Sequence, residues 1–266
     1  MSEPTIDRRF GRQAFGASPD GYHAGRPDYP DWVFQTLCER CGLARGAAVF
    51  EIGAGTGKAT RRLLDLGADP VVALEPDPRL AAFLRQTAGD AALRVMISSF
   101  EEAALDAASF DLGVCATAFH WLDENAALLK VADLLRPGGW WAAFWNVFGD
   151  DSRPDPFHDA TRTLLPGPSR TSVGSHDQPF ALDAAVRIEA LRQIGRFDIV
   201  EHRTTNWSLE LDPEQTVALY GTFSNINTRS DRTLILAELG RIARERFLGR
   251  VTRNMTTSLY IARRQS

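Results

Sequence analysis

One segment, VFEIGAGTG at residues 49–57, restricts the fold of this chain more than any other feature of the sequence. A short apolar run at 47–52 predicts a buried strand, and the pattern at 56–66 predicts a helix. Glycines 53, 55 and 57 stand where these two elements meet, and they let the backbone turn sharply and a ligand approach without Cβ atoms in the way. The segment therefore predicts a strand, a ligand-binding turn and a helix whose first N–H groups are free.

The same alternation continues to residue 145. Further strands and helices are predicted, in chain order, at 71–75, 78–87, 93–97, 110–116, 124–135 and 140–145. Short apolar strands alternating with helices indicate a parallel sheet, and right-handed crossovers make it doubly wound. We therefore predict an α/β, Rossmann-like doubly wound fold with helices on both faces of the sheet.

Beyond residue 146 the pattern is less regular. Long strands and helices are predicted at 182–194, 199–209, 213–223, 232–248 and 251–262. These elements favour a mostly parallel sheet with an antiparallel last strand and a small helical cap. For the domain organisation we expect an N-terminal segment at 1–30 and a single domain at 31–266. Cap or insert elements are expected at about 147–180 and 212–249.

Composition and charge exclude several classes of protein. The net charge of −4 offers no broad basic surface for nucleic acid or an anionic membrane. No apolar run approaches the ~18 residues of a transmembrane helix, and the N-terminus lacks a signal peptide's apolar stretch. Cys38, Cys41 and Cys115 form neither a disulfide framework nor a four-ligand zinc site. We therefore expect a cytoplasmic protein, monomeric or homodimeric, without a metal, nucleic-acid partner or membrane partner.

Two acidic residues narrow the ligand of the glycine turn. Glu75 ends the second strand, 20 residues beyond Gly55, where a carboxylate can accept both hydroxyls of a ribose. Glu51 lies in the first strand, two residues before Gly53, and its burial calls for a nearby cation. It would repel a pyrophosphate and attract an ammonium or sulfonium, at about 4 kcal/mol for each close charge pair before desolvation.

Several segments together resemble the class I S-adenosylmethionine-dependent methyltransferases, and within them the small-molecule group that includes trans-aconitate methyltransferase. The similar segments are VFEIGAGTGKAT (49–60), VVALEPD (71–77), SSFEEAAL (98–105), SFDLGVCATAFHWLD (109–123) and LLRPGGWWAAFWN (134–146). GYHAGRPDYP (21–30) and LYGTFSNI (219–226) also resemble this group. The resemblance implies S-adenosyl-L-methionine as cofactor and methyl transfer to an O, N or C atom of a small-molecule acceptor.

The resemblance also implies which residues form the site. The glycines would wrap the methionine part of the cofactor, Glu51 would hold its ammonium, and Glu75 would bind the ribose. Ser99 and Phe100 would lie beside the adenine, and many relatives have Asp at the position of Ser99. The full cofactor set is Tyr22, Arg26, Glu51, Gly53, Ala54, Gly55, Gly57, Glu75, Pro76, Ser99, Phe100, Cys115, Ala116 and His120. The substrate candidates are Tyr29, Trp121 and Asn146.

Two of these residues admit other roles. His120 would form a wall of the cofactor pocket, and it is also the one candidate for a catalytic general base, because histidine titrates near neutrality. Arg26 could hold a substrate carboxylate with two hydrogen bonds, or it could form a salt bridge with Asp28 or Asp31.

Two other functions are alternatives to methyl transfer. A nicotinamide-dependent oxidoreductase would need a G-x-G-x-x-G turn and a Tyr-x-x-x-Lys pair, and the chain has neither. A catalytically degenerate methyltransferase fold that only binds is disfavoured by the intact Gly53, Gly55, Gly57 and Glu75, although Ser99 leaves some room for it.

Overall fold

The computed structural model of this protein describes residues 16, 18–89, 91–148, 153–165 and 179–266. They form two compact units. The described parts of the first unit are 18–27, 146–148, 153–165 and 205–257. Those of the second unit are 28–89, 91–145, 179–204 and 258–266.

Seven strands form one sheet. Their bounds are Val49–Ile52 (β1), Val71–Leu74 (β2), Leu93–Met96 (β3), Phe110–Ala116 (β4), Leu135–Phe148 (β5), Phe197–Leu211 (β6) and Val251–Arg264 (β7). The strand order is β3-β2-β1-β4-β5-β7-β6. Strands β1 to β5 pair in parallel, and Ile52 lies opposite Leu74 in β2 and Cys115 in β4. The carboxyl ends of β1, β2 and β4 therefore meet at one edge, where open α/β sheets bind ligands.

The last strand runs against its neighbour. Asp198 in β6 pairs with Arg263 in β7, and Glu210 pairs with Arg250 just before β7 begins. Residue numbers thus rise along one strand as they fall along the other. The predicted doubly wound, mostly parallel sheet with an antiparallel last strand is confirmed.

Helices connect the strands. Their bounds are Pro19–Gly25 (α1), Asp31–Arg40 (α2), Lys58–Asp65 (α3), Pro78–Ala88 (α4), Glu124–Leu134 (α5), Pro156–Thr161 (α6), Ala184–Gln193 (α7), Pro213–Tyr220 (α8), Ser224–Asn227 (α9) and Arg232–Arg246 (α10). Short 3₁₀ helices lie at Phe119–Trp121 and Phe180–Leu182. Within the described ranges, none of these helices is both long and apolar enough to cross a membrane.

The core of the second unit explains why β1 and β2 are apolar at every position except Glu51. All four residues of each strand are buried, because helices cover both faces of the sheet. Val33 and Leu37 of α2 and Leu63 of α3 are fully buried in the same cluster as Val49. Burial of each such side chain contributes about 1.5–3 kcal/mol. This packing fixes the strand ends that carry the candidate site.

The first unit has a separate core. Leu219 and Tyr220 of α8 and Leu239 of α10 are buried together with Phe157 of α6 and Val251. The helices of the predicted cap at 212–249 therefore pack on one another. The predicted boundary between an N-terminal segment and a single domain stays a prediction, and residues 1–15 of that segment lie outside the described residues.

Strand β5 differs from the sequence prediction at its start. It begins at Leu135, five residues before the predicted 140–145. Its pairing with β4 jumps from Phe110–Leu135 to Leu112–Trp140, so the intervening Pro137-Gly138-Gly139 forms a bulge. Gly138 adopts a φ of 78°, which glycine tolerates without strain. Turn residues therefore interrupt the ladder here without ending the strand.

Candidate cofactor site

The glycine turn after β1 is held in an unusual backbone conformation. Gly53, Gly55 and Gly57 have φ values of 67°, 58° and 84°, which side chains disfavour. The N–H groups of Gly53 and Ala54 donate to the Leu74 carbonyl of β2 at 2.9 and 3.0 Å. These bonds tie the turn to the end of the neighbouring strand.

The three glycines differ in what a side chain would meet. A Cβ on Gly53 would lie 2.5 Å from the Cβ of Ala118, and one on Gly57 would collide with Leu84. A Cβ on Gly55 would meet no atom within 4 Å. Gly53 and Gly57 are therefore explained by packing as well as by conformation, whereas the space above Gly55 is open for a ligand.

Glu75, directly after β2, is bound by backbone on both sides. One carboxylate oxygen accepts the Gly55 N–H and the other accepts the Asp77 N–H, each at 2.8 Å. The residue is 5% exposed. These two hydrogen bonds fix the orientation of the Glu75 carboxylate. Pro76 follows it and is half-buried.

Glu51 is a buried acid with a raised pKa. It is 1% exposed, and the Thr60 hydroxyl donates to it at 2.6 Å. Burial raises the pKa of Glu51 to about 8, the Thr60 hydrogen bond opposes the rise, and the negative charge of Glu75 adds to it. Two carboxyl groups therefore share the carboxyl ends of β1 and β2. A ligand that carries positive charge beside a nucleoside fits this pair, because it would offset the repulsion between them.

The turn after β3 brings Ser99 and Phe100 to this region. Phe100 is buried, and its ring stacks on that of Phe50 in β1 with centroids 6.2 Å apart. The Ser99 hydroxyl donates to the Glu102 carboxylate at 3.1 Å and accepts the Glu102 N–H at 3.3 Å. Ser99 therefore closes its own turn in this structure.

Lys130 of α5 binds the carbonyls of the same turn. Its ammonium donates to the carbonyls of Phe100, Ala103 and Glu101 at 2.6, 2.7 and 3.2 Å. Partial burial lowers the pKa of Lys130. Sequence reasoning missed this residue, because nothing in the local pattern around position 130 indicates that its side chain binds carbonyls some thirty residues earlier.

The segment after β4 approaches the glycine turn through Ala118. Cys115 and Ala116 end β4, and the Cys115 thiol contacts the Ile52 carbonyl at 3.3 Å. Burial raises the pKa of the Cys115 thiol. Thr117 has a φ of 58°, and its hydroxyl is hydrogen-bonded to the Tyr29 hydroxyl at 2.8 Å. Tyr29 thus lies beside this segment, within the second unit.

His120 lies in the 3₁₀ helix that follows. Its Nδ1 accepts a hydrogen bond of 3.2 Å from the indole N–H of Trp145, which is buried at the end of β5. The ring centroids of Trp121 and Phe180 lie 5.1 and 6.3 Å from that of His120. The structure therefore brings His120 and Trp121 into one aromatic cluster of the second unit.

The remaining candidates belong to the first unit. Arg26 donates to the Thr222 carbonyl at 3.3 Å, and its guanidinium lies 5.5 Å from the Tyr22 ring centroid and 5.0 Å from that of Phe223. Asn146 accepts a hydrogen bond of 2.7 Å from Thr257. The roles predicted for Tyr22, Arg26 and Asn146 stay predictions.

The two acids considered as salt-bridge partners of Arg26, Asp28 and Asp31, pair with other residues. Asp28 instead pairs with Lys58 at 2.7 Å, and Asp31 pairs with Arg62 at 2.6 Å. Both acids lie at or near the start of α2, where their partners on α3 can reach them.

Several known proteins are similar to this chain in sequence or in fold. Residues 50–143 match the family described as a methyltransferase domain. An uncharacterised methyltransferase of Mycobacterium tuberculosis is 35% identical over 185 residues, which cover 63% of this chain and 70% of that protein. Trans-aconitate 2-methyltransferase from the same species is 29% identical over 179 residues, 65% of this chain and 62% of that protein.

A solved structure extends the agreement to the whole fold. The structure of a putative type II methyltransferase from Anaeromyxobacter dehalogenans has a TM-score of 0.61. It is 23% identical, and the alignment covers 90% of this chain and 97% of that one. The sheet topology and the sequence relatives together define a Rossmann-like methyltransferase. The chain belongs to the methyltransferase family.

Proposed function

We propose that this protein is an S-adenosylmethionine-dependent methyltransferase that acts on a small-molecule acceptor. One observation carries the proposal. Two buried carboxyl groups, Glu51 and Glu75, lie at the carboxyl ends of neighbouring parallel strands beside a glycine turn with open space at Gly55. Among nucleoside ligands, this arrangement suits one that carries positive charge and no pyrophosphate.

The residues divide the binding of the cofactor between them. Glu75 would accept the ribose hydroxyls, since its two oxygens are already oriented by the N–H groups of Gly55 and Asp77. Glu51 would interact with the ammonium of the methionine part, and the glycine turn would give that part room. Phe100 would border the adenine. When bound, S-adenosylmethionine supplies a methyl group that its sulfonium already activates.

Because the methyl group arrives activated, we infer that the protein contributes mainly positioning. Holding donor and acceptor in a near-attack geometry can lower the barrier by about 7–11 kcal/mol. Residues of the segment after β4, Thr117 and His120, and the neighbouring Tyr29 would orient the acceptor. Exclusion of water strengthens each of these polar contacts.

A small acceptor is supported from two sides. One relative of known activity is a trans-aconitate 2-methyltransferase, whose name gives a small organic acid as acceptor. The chain itself carries a net charge of −4, which does not favour binding of a nucleic-acid acceptor.

A calorimetric titration with S-adenosylmethionine and with S-adenosylhomocysteine tests the proposal. We expect saturable binding to the wild type and much weaker binding to Glu75→Gln. This variant loses the negative charge and one of the two side-chain oxygens that accept backbone N–H groups. The control is Glu39→Gln, an exposed acid on α2, which should bind like the wild type. Lack of binding to the wild-type chain would refute the proposed cofactor.

The acceptor can be found by incubating the protein with S-adenosylmethionine labelled in its methyl group and a small-molecule extract. Mass spectrometry then identifies the metabolite that gains the label. Label found only in macromolecules would contradict the small-molecule part of the proposal.

A further inference from the structure

The contact between Trp145 and His120 determines where the imidazole proton lies. An indole N–H can only donate, so the nitrogen that receives it must offer a lone pair. Nδ1 of His120 is that nitrogen, at 3.2 Å from Nε1 of Trp145. A neutral imidazole has one proton and one lone pair, and the proton is therefore on Nε2.

The surroundings hold this pair together. Trp145 is 4% exposed, and its ring packs on Phe180 and Tyr260 with centroids 5.8 and 6.1 Å away. A buried indole N–H needs an acceptor, because an unsatisfied donor away from water is costly. The other tautomer, or a doubly protonated ring, would place two N–H groups against each other.

We propose that Trp145 is a positioning residue, which fixes His120 in the tautomer with its proton on Nε2, so that His120 donates a hydrogen bond and does not act as a general base. The role of that donor rests on the proposed function, whereas the tautomer is a property of the chain itself. Nδ1 is engaged by the indole and Nε2 carries a proton, so neither nitrogen of the neutral ring can take a proton from an acceptor. The acceptor class that fits is one that needs no base because its nucleophilic atom has no proton to lose, such as a carboxylate or a phenolate.

Nitrogen NMR of the labelled protein measures the tautomer directly. Two-bond proton–nitrogen spectra of ¹⁵N-histidine protein, recorded at alkaline pH where the rings are neutral, distinguish a protonated from an unprotonated ring nitrogen. The chain has 5 histidines, and the signals missing in His120→Gln identify those of His120. We expect Nδ1 to be unprotonated and Nε2 to be protonated in the wild type.

The variant Trp145→Phe tests the cause. It keeps an aromatic ring and removes the donor, so the His120 signals should move towards those of a mixture of tautomers. The matched control is Trp140→Phe in the same strand, which leaves the Trp145 indole in place and should leave the signals unchanged. A protonated Nδ1 in the wild type would overturn the proposal, and so would unchanged His120 signals in Trp145→Phe.

If Trp145→Phe fails to fold, the wild-type spectrum still tests the proposal, because a protonated Nδ1 would overturn it. The result is also independent of cofactor binding. A chain that bound no S-adenosylmethionine but showed the Nε2–H tautomer would refute the proposed function and leave this inference standing.

Discussion

Two turns follow neighbouring strands of the sheet, and they are built in opposite ways. The turn after β1 is made by backbone, with three glycines at positive φ and N–H groups tied to Leu74 and Glu75. The segment after β4 begins opposite the end of β1 and is made by side chains, with Tyr29 on Thr117 and Trp145 on His120.

The difference suits the two partners of a transfer reaction, a donor that binds at the first turn and an acceptor that binds at the second. A turn made by backbone offers the same groups in any sequence that can adopt it, which suits a ligand shared by a whole family. A segment made by side chains changes with every substitution, which suits the partner that differs from one protein to the next. We therefore expect substitutions at the first turn to change cofactor affinity and substitutions at the second to change turnover.

The largest effect on cofactor affinity is expected for Gly55→Ala, which would test the backbone turn. The added methyl group enters the open space where the cofactor is proposed to bind, and overpacking against the bound ligand should cost about 1–3 kcal/mol. Affinity for S-adenosylhomocysteine should fall about 10–100-fold in a calorimetric titration.

Gly46→Ala is the control for this substitution. Gly46 has a φ of 81° and also has no atom within 4 Å of an added Cβ. Both variants should therefore lose similar stability, about 1–2 kcal/mol, from the left-handed conformation. Equal losses of affinity in the two variants would show that the space above Gly55 is not a ligand site.

Glu51→Gln should stabilise the protein while weakening the cofactor site. The folded-state pKa of about 8 lies above the usual 4.5, so between these values the folded state holds a proton that the unfolded chain lacks. The stability from this group is therefore full below pH 4.5 and is lost as the pH rises through 8, by about 1.4 kcal/mol per pH unit. Glutamine removes this loss, which amounts to about 5 kcal/mol at pH 8, so Glu51→Gln should be several kcal/mol more stable than the wild type at that pH.

Urea unfolding of the wild type and Glu51→Gln at pH 5 and at pH 8 measures this gain. Binding gives a second measurement, since a cationic ligand lowers the pKa of Glu51 and displaces its proton. Calorimetry at pH 7 in two buffers of different ionisation enthalpy should detect proton release from the wild type and none from Glu51→Gln. A wild type that releases no proton would show that Glu51 is remote from the bound charge.

Substitutions of His120 should affect turnover more than cofactor affinity. With the acceptor found by methyl labelling, His120→Ala should lower kcat roughly tenfold, the effect of one lost hydrogen bond at the reacting groups. His120→Gln should retain most of the rate, because an amide can donate a hydrogen bond but cannot act as a base. An equal loss of kcat in His120→Ala and His120→Gln would favour a general base at this position. If either variant lost as much cofactor affinity as Gly55→Ala, the two turns would not differ in function.

The smallest effect is expected for Lys130→Met, which removes the donor to three carbonyls of the turn after β3. The turn and the Phe100 ring would become less ordered, and affinity for S-adenosylhomocysteine should fall about threefold. The matched control is Arg85→Met, which removes a donor from the Val95 carbonyl of β3 instead. Unchanged affinity in Lys130→Met would mean that the lysine supports only the fold.

The sequence was sufficient for features that depend on local pattern. The largely apolar runs before Gly53 and Glu75 predicted β1 and β2, because a strand covered on both faces is apolar at nearly every position. The fold class followed from this alternation and is confirmed. The two acids were also found from spacing, although the sequence could not show that Glu75 accepts the Gly55 N–H.

Features that depend on tertiary contact were missed. The bond between Trp145 and His120 depends on how the 3₁₀ helix after β4 meets β5, which no local pattern encodes. The contacts of Lys130 with three carbonyls were missed for the same reason. The start of β5 was placed too late, because Pro137-Gly138-Gly139 indicates a turn unless the pairing on both sides is known.

Because Cys115 is buried, the rate at which its thiol is labelled can report how often this edge of the sheet opens. Cys115 and Cys41 are buried, while Cys38 is exposed. A thiol reagent should modify Cys38 at once and reach Cys115 only when β4 separates from Ile52. The slow labelling rate of Cys115, compared with that of Cys41 at the end of α2, would then report how rarely this strand end opens relative to the rest of the unit.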